Sequence, residues 1–265
     1  GAIAPMNAEN RLKKPSYFIP DPWTNTKSDN SSFSKRITNM LRQSVNDNGT
    51  RKLSLSSVIC ILEIMIRTFD LKRTNYLIKL ITSALLKPWK RSLVLDYLIH
   101  MVHIYFLKKK KIDFSSVFFN AGAHIQHHYF FNSKYIENSQ KNPSWYINSN
   151  VDPVLDMLKV YDKILEDYLN FYENNNKIFI ATGLRQVPYN NIKFYYRLKN
   201  HENFLNKINI KYTKLLKRMT RDFEIQFESS DKMHDALNIL REIYVKKNNE
   251  NLFKEIEVRK KSLFV

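Results

Sequence analysis

Residues 115–133, SSVFFNAGAHIQHHYFFNS, constrain the chain most: an apolar run stops at a small-residue break, and three of the seven histidines follow within five residues. Val117, Phe118 and Phe119 are β-branched or aromatic and predict a buried strand, Asn120, Ala121 and Gly122 end it, and from Ala123 onward the residues suit a helix. On that helix His124, His127 and His128 fall at i, i+3 and i+4, close enough to share one face. Neutral imidazoles on adjacent turns can hold zinc or another divalent metal, because a borderline-soft ion accepts nitrogen and the helix sets the ligand spacing. If an ion binds, His127 is the expected main ligand, with His124 or His128 assisting. The same residues, flanked by Tyr129, Phe130 and Phe131 and with no acid among them, also read as half-buried polar groups at a helix edge. Both readings stand.

A second apolar run, KIFIA at 177–181, ends in Thr182-Gly183, so two of only four glycines follow the two clearest candidate strands. In open α/β sheets ligands gather outside the carboxyl ends of the strands, where small residues let backbone approach closely. That expectation puts Asn120, Gln126, Thr182, Arg185 and Gln186 on the substrate side, with Asn120, His127 and Thr182 lining one crevice. Upstream, 14–26 holds Pro15, Pro20 and Pro22 and cannot be a regular element. Tyr17, Phe18, Ile19 and Trp23 anchor this loop, which presents Asp21 either as a substrate loop or as a plain Ω-loop.

Helical periodicity is expected over 32–46, 53–69, 73–86 and 88–110, with turn chemistry at 47–49 and Pro88 suited to a first helical turn. These segments read together as a helical insertion or cap spanning 32–111. A helix opens at Asp152-Pro153 and runs to about 173, FEIQF at 223–227 alternates as a strand, 231–245 is amphipathic, and 256–265 looks extended. The fold class is α/β: a mixed or parallel sheet flanked by helices, in one domain over 1–265. No tandem repeat, P-loop or dinucleotide-binding fingerprint occurs in the sequence. The first residues carry no initiator Met or targeting pattern and the last stop inside a strand-like run, so the chain is expected to be a fragment of a larger domain.

Lys and Arg outnumber Asp and Glu by 43 to 25, giving a net charge of +18, which brings nucleic acid into consideration. The cations are spread along the chain, however, and the accompanying Lys, Asn, Ile, Tyr and Phe are what an AT-rich coding sequence yields, so no specific nucleic acid is expected. The one dense run, Lys108 to Lys111, sits where a helix C-terminus favours cations. No uncharged apolar run is long enough to span a bilayer. The single cysteine, Cys60, excludes an intrachain disulfide and fits a reducing, cytoplasmic setting.

Taken together, SVFFN followed by AGAHIQHHY, a long helix from Asp152 and then KIFIATG resemble the second half of the alkaline-phosphatase-like superfamily, nearest its type I phosphodiesterase and nucleotide pyrophosphatase branch. The resemblance covers 117–184, with weaker similarity at MNA and PDPWT. It implies a hydrolase or transferase-like protein acting on phosphate or sulfate esters with two zinc-like ions and an upstream Ser or Thr nucleophile. In that family a strand runs into Asp-x-x-x-His and a later one ends in Asp-His. Here the first pattern, set on 123–127, keeps His127 but has Ala123 in place of the acid; set on 120–124 it keeps His124 with Asn120 as an amide, and the later pair falls on Thr182-Gly183. Carboxylates neutralise such ions and set their spacing, so their replacement removes at least one ion site. The alternative is therefore a catalytically inactive α/β binding protein for phosphorylated or sulfated glycans, and a second alternative, from the net charge, is a nucleic-acid-binding protein.

Overall fold

The computed structural model describes residues 1–5, 14–24, 26–46, 53–137, 140–172, 177–182, 186–187, 196–217, 221–246 and 249–265. The chain divides into two compact units, Gly1–Arg42 with Leu53–Ile192, and Gln43–Lys52 with Lys193–Val265, where the sequence pointed to one domain. Both are mixtures of helix and sheet, as expected for the α/β class.

In the first unit β1 (Ala2–Ile3) lies between β2 (Phe18–Ile19) and β3 (Ser116–Val117), all parallel, so the 14–26 segment holds a two-residue strand between Pro15 and Pro20 where the sequence pointed to no regular element. Six helices or parts of helices accompany the sheet: α1 (Ser32–Asn46), α2 (Leu55–Arg67), α3 (Leu71–Leu86), α4 (Lys90–Lys109), α5 (Ala121–Tyr129) and α6 (Pro153–Phe171). Their starts are written locally. Ser54, Asp70 and Asp152 each accept a backbone N–H three residues on, and Pro153 occupies the first turn of α6, where its missing N–H costs nothing.

α4 is the centre of this unit rather than part of a cap. It is apolar on nearly every side, with Leu93, Tyr97, Leu98, Met101, Val102 and Ile104 buried, and α2, α3, α5 and α6 pack on it. A helix without a polar face must be enclosed, which is why the reading of 32–111 as an insertion gives way. Two strand expectations change as well. β3 is an edge strand whose run Val117–Phe119 is only half-buried, and 177–182 forms no strand and is exposed throughout, with Phe179 at 84%. Apolar β-formers settle into a strand only when a neighbouring strand and a covered face are available to them, and 177–182 has no covered face.

The second unit holds α7 (His201–Lys207), β4 (Lys214–Lys217), β5 (Phe223–Gln226), α8 (Ser230–Arg241), β6 (Tyr244–Val245), β7 (Glu250–Asn251), β8 (Glu257–Arg259) and β9 (Ser262–Phe264). β4, β5, β9 and β8 form an antiparallel sheet in that order. The alternation expected at 223–227 is present, with Phe223, Ile225 and Phe227 buried against Leu237, Leu240 and Leu263. α8 stops before 245 because Tyr244 and Val245 pair with Glu250 and Asn251 as a short ribbon.

Candidate functional site

The carboxyl ends of the three parallel strands leave the sheet on one edge. Ala4 N donates to Ile19 O at 2.7 Å and Phe118 N to Ile3 O at 3.1 Å, which fixes the register through the last residue of each strand. Beyond that edge come Ala4, Asp21 and Asn120. Ala4 is held at φ 50°, a left-handed conformation that a side chain with a Cβ rarely adopts, so this strand end stores local strain.

Asp21 is buried, and its carboxylate accepts Trp23 N at 3.0 Å while its carbonyl accepts Thr24 N and Thr24 Oγ1. Arg42 of α1 donates to Thr24 O at 2.8 Å and Thr26 O at 2.6 Å, pinning the loop from its other side. One carboxylate oxygen of Asp21 thus serves the turn, which is the structural half of the two readings of this loop.

Asn120, exposed, stands at the N-cap of α5 but supplies no side-chain cap. Asp96, reaching from α4, does so instead: its carboxylate accepts Asn120 N at 3.3 Å and Ala121 N at 2.9 Å. Tyr161 of α6 donates its hydroxyl to Asp96 Oδ2 at 2.9 Å and accepts Gly122 N at 2.7 Å. The N–H groups that open α5 are therefore met by a tertiary carboxylate and a phenol, with the helix dipole favouring the negative charge. Burial pushes the Asp96 carboxyl up to about 7, against the lowering effect of those same hydrogen bonds.

Past this capped end the histidines separate. His124 and His128, one turn apart, bring their rings to 4.7 Å between centroids, and His128 Nδ1 bonds the Tyr146 hydroxyl at 2.8 Å. Burial, then the neighbouring His128 and His127, push His124 down to about 4, and burial also lowers His128, so both are neutral near pH 7. Tyr146 is pushed up to about 12 by burial and by Tyr129. Beside it Trp145, 67% exposed, meets the Tyr146 ring edge-on at 5.9 Å. His127 is exposed and Gln126 half-buried on the same helix. Thr182 lies in the exposed 177–182 segment outside the sheet, Gln186 is half-buried, and Arg185 lies outside the described residues.

Among the described residues, no three His, Cys, Asp or Glu side chains lie close enough to hold a metal ion. His124 and His128 offer two neutral nitrogen ligands and have no carboxylate beside them, which does not fit the two-ion centre implied by the resemblance.

A second buried polar chain links α4 to α6 and was not anticipated as a site. Asp167 takes His100 Nε2 at 3.0 Å, Arg73 Nε at 3.1 Å and Lys163 Nζ at 3.5 Å. Burial alone would raise Asp167; the hydrogen bond from His100 and the charges of Arg73 and Lys163 hold it low, at about 2. Burial keeps His100 neutral, so its Nε2 carries the proton and its Nδ1 is left without a partner. His103 joins Tyr168 through Nδ1 at 2.6 Å and Ser115 through Nε2 at 2.5 Å, and Ser115 also bonds the Tyr17 hydroxyl. The signal for this network is visible in the chain: Asp96, His100 and His103 interrupt an otherwise apolar helix, and a polar group inside such a helix requires a partner.

In comparisons with known proteins the chain matches no family model, no curated protein and no solved structure.

Proposed function

We propose that the first unit binds a phosphate or sulfate ester carried on a sugar, on the α5 face made by His124, His128, Tyr146 and Trp145. The observation that carries this reading is the pairing of two imidazoles and a phenol with an exposed indole beside them. The imidazoles and phenol supply donors for ester oxygens, and the indole face offers an apolar platform for a sugar ring. The N-terminal amides of α5 are already engaged by Asp96 and Tyr161, so the ester is met by side chains rather than by the helix end. A parallel sheet with strand ends beside α5 agrees with the α/β arrangement in which ligands sit outside carboxyl ends.

A second reading, metal-assisted hydrolysis of the same esters as in the alkaline-phosphatase-like superfamily, is favoured by His124 and His128 standing one turn apart and neutral. A zinc ion there would find two protein nitrogen ligands, His124 and His128, rather than the His127-led set expected from the sequence, and would supply positive charge to the ester. The test is calorimetric titration with sulfated and phosphorylated sugars, run beside an aryl-ester turnover assay with and without zinc. Binding without turnover supports the first reading; zinc-dependent turnover lost in both His124→Ala and His128→Ala supports the second and displaces the first.

A further inference from the structure

α2 turns an apolar face outward. Leu55, Val58, Ile59, Leu62 and Ile66 are all exposed, and at 100° per residue they fall within an arc of about 100° on the helix. The opposite side, Ser57, Cys60 and Ile64, is the side buried against the unit. Leu53 before the helix and Phe69 after it, 47% and 67% exposed, extend the stripe at both ends. Ile59, Leu62, Glu63, Ile66 and Arg67 line a shallow groove along it. The polar flank is closed on itself: Glu63 takes Arg36 at 2.6 Å and Arg67 at 2.7 Å.

We infer that this stripe is the contact surface of a homodimer, with α2 of one copy packed antiparallel on α2 of a second copy about a two-fold axis near Leu62. Area selects the occupant. The seven exposed side chains present on the order of 700 Å² of apolar-rich surface per copy, close to the about 800 Å² per partner of a stable protein interface. Charge selects it too. An anionic lipid surface calls for Lys and Arg flanking the apolar face, whereas among the described residues Arg36 and Arg67, the cations beside this one, are tied to Glu63. A neutral stripe is complementary to itself, and under two-fold symmetry the groove beside Leu62 receives the same side chain it presents.

The experiment is sedimentation velocity of the full chain across a concentration series, with Ile59→Glu/Leu62→Glu as the test variant and Ile78→Glu, on the exposed side of α3, as the control. Both altered positions are solvent-facing, so unchanged circular dichroism separates lost contact from lost fold. Twice the 31.7 kDa chain mass for wild type and control, with the dimer dissociation constant raised at least about 100-fold in the double variant, is the expected result. A second variant, Leu62→Cys, should crosslink to its own copy under mild oxidation. A monomer at every concentration, a dimer untouched by the double variant, or a monomer that instead binds anionic vesicles through this face would each overturn the inference.

Discussion

Tyr161 and Asp96 act as one unit: the phenol donates to the carboxylate at 2.9 Å and accepts from Gly122 N at 2.7 Å, so two helices hold the start of a third. Removing the hydroxyl strands both Gly122 N and one side of a buried carboxylate. Tyr161→Phe should therefore lower stability by about 1–3 kcal/mol in urea unfolding, a loss at the buried-donor end of the usual range. Little or no loss would mean that water replaces the phenol.

Asp96 also makes stability depend on pH. Its folded value is about 7 against 3.8 for the free side chain, so the folded chain holds a proton that the unfolded chain releases. That contribution is fully present below about pH 4 and is lost as pH rises through about 7. Asp96→Asn removes it, so the stability difference between wild type and Asp96→Asn should shift against wild type by up to about 1.4 kcal/mol per pH unit over that window. A difference that stays constant with pH would contradict the raised value.

His103 and His124 work in the opposite sense. Burial holds them at about 3 and about 4, so they stay neutral in the folded chain while the unfolded chain takes up protons near 6.5. Their contribution is present above about pH 6.5 and is lost as pH falls toward 4. Denaturant midpoints should fall on acidification through this range, and His124→Phe should flatten the fall while keeping the native circular dichroism. An unchanged slope in that variant would place His124 in a solvated setting.

At Asp167 the charges decide the cost of substitution. Arg73→Met leaves a buried carboxylate with His100, Lys163 and the Tyr97 hydroxyl as its remaining partners and should cost about 3 kcal/mol, whereas Arg73→Met combined with Asp167→Leu should recover much of that. The double-mutant cycle reads the coupling directly, and additive losses would show that the pair is not a unit.

Much of the helical framework was legible because caps and periodicity are local. Asp152-Pro153 and the apolar faces of α2, α3 and α6 are written within a few residues of where they act. The centrality of α4 was harder to see, since an all-apolar helix looks the same in sequence whether it caps a domain or fills it. KIFIA was misleading for the same reason: β-propensity is set by neighbours that no window contains, and 177–182 lies exposed outside the sheet. At the site, the i, i+3, i+4 spacing placed the histidines on one short helix, but the pairing of His128 with Tyr146 joins residues 18 apart through an irregular loop. Asp96 and Tyr161, 65 residues apart, were beyond local pattern altogether, although an acid inside an apolar helix was the trace they left.

Trp145 separates sugar from ester in the proposed site. Trp145→Ala should weaken a sulfated sugar by about tenfold, the scale of one aromatic contact, and leave inorganic sulfate unaffected. Equal losses for both ligands would move the indole from platform to scaffold.

The pH dependence of sulfate-ester affinity tests the central claim most directly, because a sulfate monoester keeps its charge between about pH 5 and 7, so a change of affinity over that range reports proton uptake by the imidazoles on binding. An anion seated against His124 and His128 raises their affinity for protons, so binding measured by calorimetry should tighten by about tenfold or more from pH 7 to about 5, and His124→Ala/His128→Ala should abolish that change. A zinc-held ester would weaken over the same range, since protons compete for the nitrogen lone pairs. Affinity that is flat or falls on acidification, or that survives the double substitution, would contradict ester binding on the α5 histidine face.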